Sequence, residues 1–168
     1  MFSYLADKIT NYVSANTIKK DLGISDQTAK FYLQYLQDVY LIIPLYKSGR
    51  SHKITKSSIP KYYFNDTGIL RLFSQQSRIG HLAKNAVFLE LIRHSLLSEK
   101  PSLYYDIIDS IEVDFKLNKS QLFECKYRKV TWSDLEKYES ISDEINFIVS
   151  DPSSAQTSIL MEISSCSI

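Results

Sequence analysis

The stretch Ile111-Glu112-Val113-Asp114-Phe115-Lys116-Leu117, then Asn118-Lys119-Ser120, then Gln121-Leu122-Phe123-Glu124-Cys125-Lys126 decides the reading of this chain. Apolar and charged residues alternate on both sides of a polar turn, which is the period-two pattern of a two-stranded hairpin. Strands are expected over Ile111–Leu117 and Gln121–Tyr127. With a three-residue turn, Leu117 faces Gln121, Asp114 stands opposite Glu124, and Glu112 stands opposite Lys126. All four charged side chains then project from one face, and Val113, Phe115, Phe123 and Cys125 enter the other layer.

Two carboxylates placed across a strand pair repel each other. At about 5 Å and an effective dielectric near 20 the repulsion is roughly 3 kcal/mol, so a cation should stand nearby. Lys126 is one candidate and a divalent ion is the other. Mg²⁺ takes one or two carboxylates together with water and phosphate oxygens. It polarises a phosphoryl group and generates a hydroxide nucleophile, while a lysine stabilises the developing charge. The expected catalytic set is therefore Asp114, Glu124 and Lys126, with Glu90, Asp114 and Glu124 as metal ligands. The bland alternative is an exposed hairpin with a Glu112–Lys126 cross-strand pair and no metal.

Outward from the hairpin, residues 80–97 read as an amphipathic helix, with Leu82, Val87, Leu91 and Leu96 on its apolar face and Glu90 among them. Leu103–Ile108, Ile145–Val149 and Ile159–Ile163 read as strands, and Thr131 caps a helix over Trp132–Ser140. Helix, three strands, helix and further strands make an α/β layered domain with a mixed sheet.

The first third differs. Helices are expected over residues 3–12, 17–22 and 26 to about 40. Gly23 supplies a permissive backbone at the turn, and Ser25 is an N-cap for the third helix. Ala29, Leu33, Leu36 and Tyr40 line its inner face, with Phe31, Tyr32 and Tyr35 partly covered. Ile18 through Lys30 has the rhythm of a helix-turn-helix, whose second helix reads DNA with polar residues near its start. Here those are Gln27, Thr28, Lys30 and Gln34. A strand over Leu41–Tyr46 and a basic loop containing Lys47, Arg50, His52 and Lys53 look like a strand and a wing that meets phosphates. Ser57–Pro60 is the expected boundary, giving a winged helix-turn-helix domain over 1–60 and a second domain over 61–168. That second domain opens with a strand at Lys61–Phe64 and a turn at Asn65–Gly68.

Composition agrees with a packed protein: 168 residues, 44% hydrophobic and 23% charged. Residues 1–60 hold eight Lys/Arg against four Asp, a net of +4, and the remainder holds twelve against fifteen, a net of −3. That asymmetry suits DNA binding by the first part and carboxylate chemistry by the second. Cys125 and Cys166 lack metal-ligand spacing, and a reducing cytoplasm is the simplest setting. No apolar run is long enough for a membrane span, no signal peptide is apparent, and no Walker loop is present, so this chain is expected to carry no ATP site.

On residues 80–163 the hairpin and its helices resemble the PD-(D/E)xK superfamily, the restriction-endonuclease-like fold. The resemblance implies Mg²⁺-dependent DNA cleavage with Asp114, Glu124, Lys126 and Glu90 at the motif positions. Nearly the whole chain is also similar to the C-terminal portion of a family of prokaryotic AAA-type ATPases. The matching pieces are Ser14–Leu41, Lys61–Gly68, Gly80–Leu91, Glu112–Phe115 and Glu124–Lys126. That likeness implies DNA and an ATPase domain or subunit as partners. The sequence departs from the pattern in lacking the ATPase domain, in Lys84 where a Glu is usual, and in Asp106 near a usual basic residue. The chain is then a fragment, a truncated gene or a standalone relative. Three functions stay open: a metal-dependent endonuclease, a non-catalytic module binding DNA or a partner ATPase, and a regulator with a ligand-sensing domain.

Overall fold

The computed structural model describes residues 1–49, 51–74, 79–96, 102–118, 120–128, 130–139, 141 and 145–149. The protein is a mixed α+β chain that separates into two compact units, dividing between Leu89 and Glu90.

In the first unit, α1 (Phe2–Asp7) is followed by α2 (Ala15–Leu22) and α3 (Asp26–Asp38). Ser14 caps α2 by accepting from the Thr17 N–H, and Ser25 caps α3 by accepting from the Thr28 N–H. Each satisfies a backbone donor that the first helical turn leaves open. Gly23 ends α2 at φ 66°, ψ 21°, a left-handed conformation that an L side chain resists. Ala29, Leu33 and Leu36 turn inward on α3 and join Leu5, Ile9, Val13 and Ile18 in one core.

Tyr40 does not extend that inner face. Helix α3 stops at Asp38, Tyr40 takes φ 56°, and its side chain is 77% exposed. Phe31, Tyr32 and Tyr35 are exposed as well, contrary to their expected partial cover.

Strand β1 (Ile42–Leu45) pairs antiparallel with β2 (Lys61–Phe64), Ile42 facing Phe64 and Leu45 facing Lys61. Between them the expected basic wing contains a short helix, α4 (His52–Ser57), nucleated where the Ser51 side chain accepts from the Ile54 N–H. The turn at Asn65–Gly68 likewise starts a helix: Asp66 caps α5 (Thr67–Phe73). Phe64 and Leu70 enter the same core as α1–α3, so residues 61–73 belong with the first unit. The boundary expected at residue 60 therefore falls inside a continuous core.

Helix α6 (Ile79–Leu96) contains the division between the units. On its first-unit part, the buried Asn85 amide donates to the Phe64 carbonyl and accepts from the Phe64 N–H, closing the end of β2. Phe88 stacks on Tyr63 with ring centroids 4.2 Å apart. Leu96, expected on the apolar face, is 69% exposed.

The second unit holds a four-stranded sheet in the order β3 (Leu103–Ile108), β4 (Ile111–Leu117), β5 (Gln121–Lys126), β6 (Ile145–Val149). The first two pairings are antiparallel and the last is parallel. A parallel neighbour needs a crossover, and α7 (Trp132–Glu139) occupies it. Strand and helix positions match those expected from the pattern, and the sheet is mixed. The proposed last strand, Ile159–Ile163, lies outside the described residues, as does Cys166.

Candidate active site

The site is built on one irregularity. Tyr104 pairs with Lys116 and Asp106 pairs with Val113, so two steps on β3 match three on β4. Asp114 and Phe115 together oppose the single residue Tyr105: a β-bulge, which re-aims side chains.

The bulge overturns part of the expected face assignment. Val113 packs with Leu122 and Tyr138, on the face that Leu122, Glu124 and Lys126 share by alternation along β5. Glu112, paired with Ile107 and adjacent to Val113, therefore alternates to the other face. It does not stand with Asp114, Glu124 and Lys126.

Those three residues do converge. The hairpin register is Leu117–Gln121, Lys116–Leu122, Phe115–Phe123, as the three-residue turn requires. Further along the hairpin, side chains bridge the strands. The Cys125 N–H donates to Asp114 Oδ2 at 3.0 Å, and the Asp114 N–H donates to Glu124 Oε2 at 3.4 Å. Lys126 Nζ lies 2.8 Å from Glu124 Oε1. Asp114 and Glu124 are both buried. Lys126 is thus one cation beside the carboxylate pair.

Helix α7 contributes residues that strand alternation did not reveal. Asp134 and Tyr138 stand one turn apart and both reach the site. Asp134 Oδ1 is 3.8 Å from Lys126 Nζ. Arg128 grips the same carboxylate through both terminal nitrogens, at 2.6 and 2.7 Å, and Thr131 donates its N–H and hydroxyl to it. These hydrogen bonds, the Arg128 fork foremost, hold the Asp134 carboxyl well below the usual carboxylate range. The Tyr138 ring lies beneath Lys126, 5.7 Å from Nζ to centroid. Burial, then the negative charge of Glu124 and a hydrogen bond to it, push the Tyr138 hydroxyl far above the ordinary tyrosine value. The i, i+4 spacing of Asp134 and Tyr138 was the available sequence signal, but nothing in the sequence pointed that helix face at Lys126.

Glu90 pairs with Arg93 one turn on, at 3.0 Å, with its side chain 40% exposed. Among the described residues no group of three or more His, Cys, Asp or Glu is arranged to hold a metal ion. Asp114 and Glu124 together offer hard carboxylate oxygens, a donor set that fits Mg²⁺ completed by water and phosphate.

Of the residues expected to meet DNA, Gln27, Thr28, Lys30 and Gln34 are exposed on α3. Lys30 is paired with Asp26 at 2.6 Å, Gln34 donates to Asp38 at 2.7 Å, and Thr28 shares a hydrogen bond with the Ser25 cap. Lys53 is exposed on α4 and Lys47 is half-buried after β1; Arg50 lies outside the described residues.

The fold and site define an α+β protein of two units, the second carrying a bulged hairpin with a buried carboxylate pair and a lysine. A family model described as a domain of unknown function (DUF8612) matches residues 1–79. The matched segment runs past residue 60 and takes in β2 and α5. No curated protein and no solved structure matches the chain. No helix among the described residues is long and apolar enough to cross a membrane.

Proposed function

We propose that this chain is a cytoplasmic DNA-processing module. In this reading the first unit is a winged helix-turn-helix that binds DNA, and the second is a restriction-endonuclease-like domain hydrolysing phosphodiesters. The observation that carries it is the convergence of Asp114, Glu124 and Lys126 at the end of one hairpin, through the Cys125 N–H and the 2.8 Å Lys126–Glu124 contact.

Asp114 and Glu124 would hold Mg²⁺. When bound there, the ion supplies Lewis acidity and a water of lowered pKa. Lys126 is held by Glu124, Asp134 and the Tyr138 ring. In this reading its fixed ammonium would stabilise the charge that develops on a phosphate oxygen, and such preorganised stabilisation is commonly the largest catalytic contribution. In the first unit, support comes from two capped helices joined by a left-handed glycine turn and followed by an antiparallel strand pair.

The test is Mg²⁺- and Mn²⁺-dependent cleavage of single-stranded, branched and duplex DNA by the wild type, Asp114→Ala and Lys126→Ala. Metal-dependent cleavage lost in both variants supports the reading. A second reading, a non-catalytic module that binds DNA or an AAA-type ATPase subunit, is favoured by the engagement of Glu90, the third expected metal ligand, with Arg93. No cleavage, with DNA retarded equally by all three proteins, would select it.

A further inference from the structure

We infer that the outward face of α3 is a stacking platform for unpaired nucleic-acid bases, so that this unit takes single-stranded or opened DNA in preference to intact duplex. The inference rests on the DNA-binding reading above and narrows it.

The helix buries Ala29, Leu33 and Leu36. On the other side it carries Phe31, 68% exposed, and Tyr35, 55% exposed, one turn apart, with Tyr32 beside them at 44%. The Phe31 and Tyr32 rings meet edge to face, with centroids 6.2 Å apart. Residues at i and i+4 are neighbours on a helix surface, so these rings form one contiguous patch. Contiguous exposed apolar surface marks an interaction site, whereas scattered exposed residues do not.

Two observations decide the occupant. The first is charge. Residues 1–89 hold twelve Lys/Arg against five Asp, a net of +7, whereas residues 90–168 hold eight against fourteen acids, a net of −6. The aromatic patch thus stands on a strongly cationic unit, which complements a polyanion. The second is the state of the polar side chains on the same helix. A duplex reader presents donors and acceptors to base edges. Of the four expected readers three are engaged within the chain, Lys30 by Asp26, Gln34 by Asp38 and Thr28 by the cap, and Gln27 stands exposed in the first turn. Past that first turn the large exposed groups on the face are the rings of Phe31, Tyr32 and Tyr35. Rings contribute most when a base lies flat on them, and a base can do so only when it is out of the duplex stack. Aromatic side chains over a cationic surface are how single strands are held without regard to sequence.

The test measures binding of the full chain, by fluorescence anisotropy at one fixed salt concentration, to a labelled oligothymidylate and to a duplex of equal length. The wild type, Phe31→Ala/Tyr35→Ala and the ring-preserving Phe31→Trp/Tyr35→Phe are compared, with sedimentation of each. The expected result is tighter binding to the single strand, weakened about fivefold to a hundredfold per ring in the alanine variant and kept in the ring-preserving one. Equal binding to both DNAs with no effect of either variant overturns the stacking platform and leaves DNA binding standing. A dimer that only the alanine variant dissolves, with oligonucleotide binding unchanged, overturns it and gives the face to a second copy of this chain. Failure of the wild type to bind any DNA overturns both this inference and the DNA-binding reading beneath it.

Discussion

Lys126 Nζ lies 2.8 Å from Glu124 Oε1, with the two side chains only 18% and 6% exposed. Taking one member of such a pair away leaves the other charge buried and uncompensated, which costs more than the pair itself contributes. Lys126→Ala should therefore lower stability by about 3 kcal/mol, read from urea unfolding. The double variant Glu124→Gln/Lys126→Ala should lose less than Glu124→Gln and Lys126→Ala added together, because neither partner of this pair is left charged without the other. Equal and additive losses would mean that the two side chains are not coupled in solution.

Much of this geometry is legible in the sequence. The alternation over Ile111–Leu117 and Gln121–Lys126 places both strands and their register at the turn, because side-chain period and turn length are local properties. Gly23 and Ser25 act as read, since caps and left-handed turns depend on a few adjacent residues. What escapes is whatever requires a partner distant in sequence. The bulge opposite Tyr105 is a property of the β3–β4 pairing, and it moves Glu112 off the face that alternation assigned to it. The pairing of β1 with β2 draws residues 61–64 across the expected boundary. Tyr40 suits an inner face by spacing, yet the chain turns left-handed there and leaves it exposed.

The Asp134 carboxylate ties acid stability to this site. Hydrogen bonds from Arg128 and Thr131 depress its folded pKa. A depressed carboxylate stabilises the protein at pH values above the unfolded value, near 3.9, and loses that contribution as pH falls below it toward the folded value. Asp134→Asn should accordingly be less stable than wild type at neutral pH, and the gap should narrow as pH falls below about 4. Urea midpoints measured across that range check it; a gap independent of pH would remove the carboxylate's charge from the explanation.

Asn85 anchors α6 to the end of β2. Its side chain accepts from the Phe64 N–H at 2.8 Å and donates to the Phe64 carbonyl at 3.0 Å, with Asn85 and Phe64 both fully buried. Asn85→Leu keeps the number and branching of side-chain heavy atoms and strips the partner from two buried backbone groups, each costing about 1–3 kcal/mol when unsatisfied. The expected loss is about 3 kcal/mol, and the amide of Phe64 should lose much of its protection from hydrogen exchange. Unchanged protection would show that another group takes over the bond.

The two basic elements of the first unit should respond differently to salt. Lys53 is exposed on α4, whereas Lys30 on α3 is ion-paired with Asp26 at 2.6 Å. A lysine that neutralises a phosphate releases a counterion, and its removal lowers the slope of log affinity against log salt by about 1. Lys53→Ala should therefore reduce that slope by about 1 for single-stranded and duplex DNA alike. Lys30→Ala should change it less, because Lys30 must first give up Asp26 to reach a phosphate, and removing it frees a carboxylate that repels one. Binding titrations over a range of NaCl concentrations separate the two. A larger slope change for Lys30 than for Lys53 would place the phosphate track along α3 and displace the rings of Phe31 and Tyr35 from the centre of the contact.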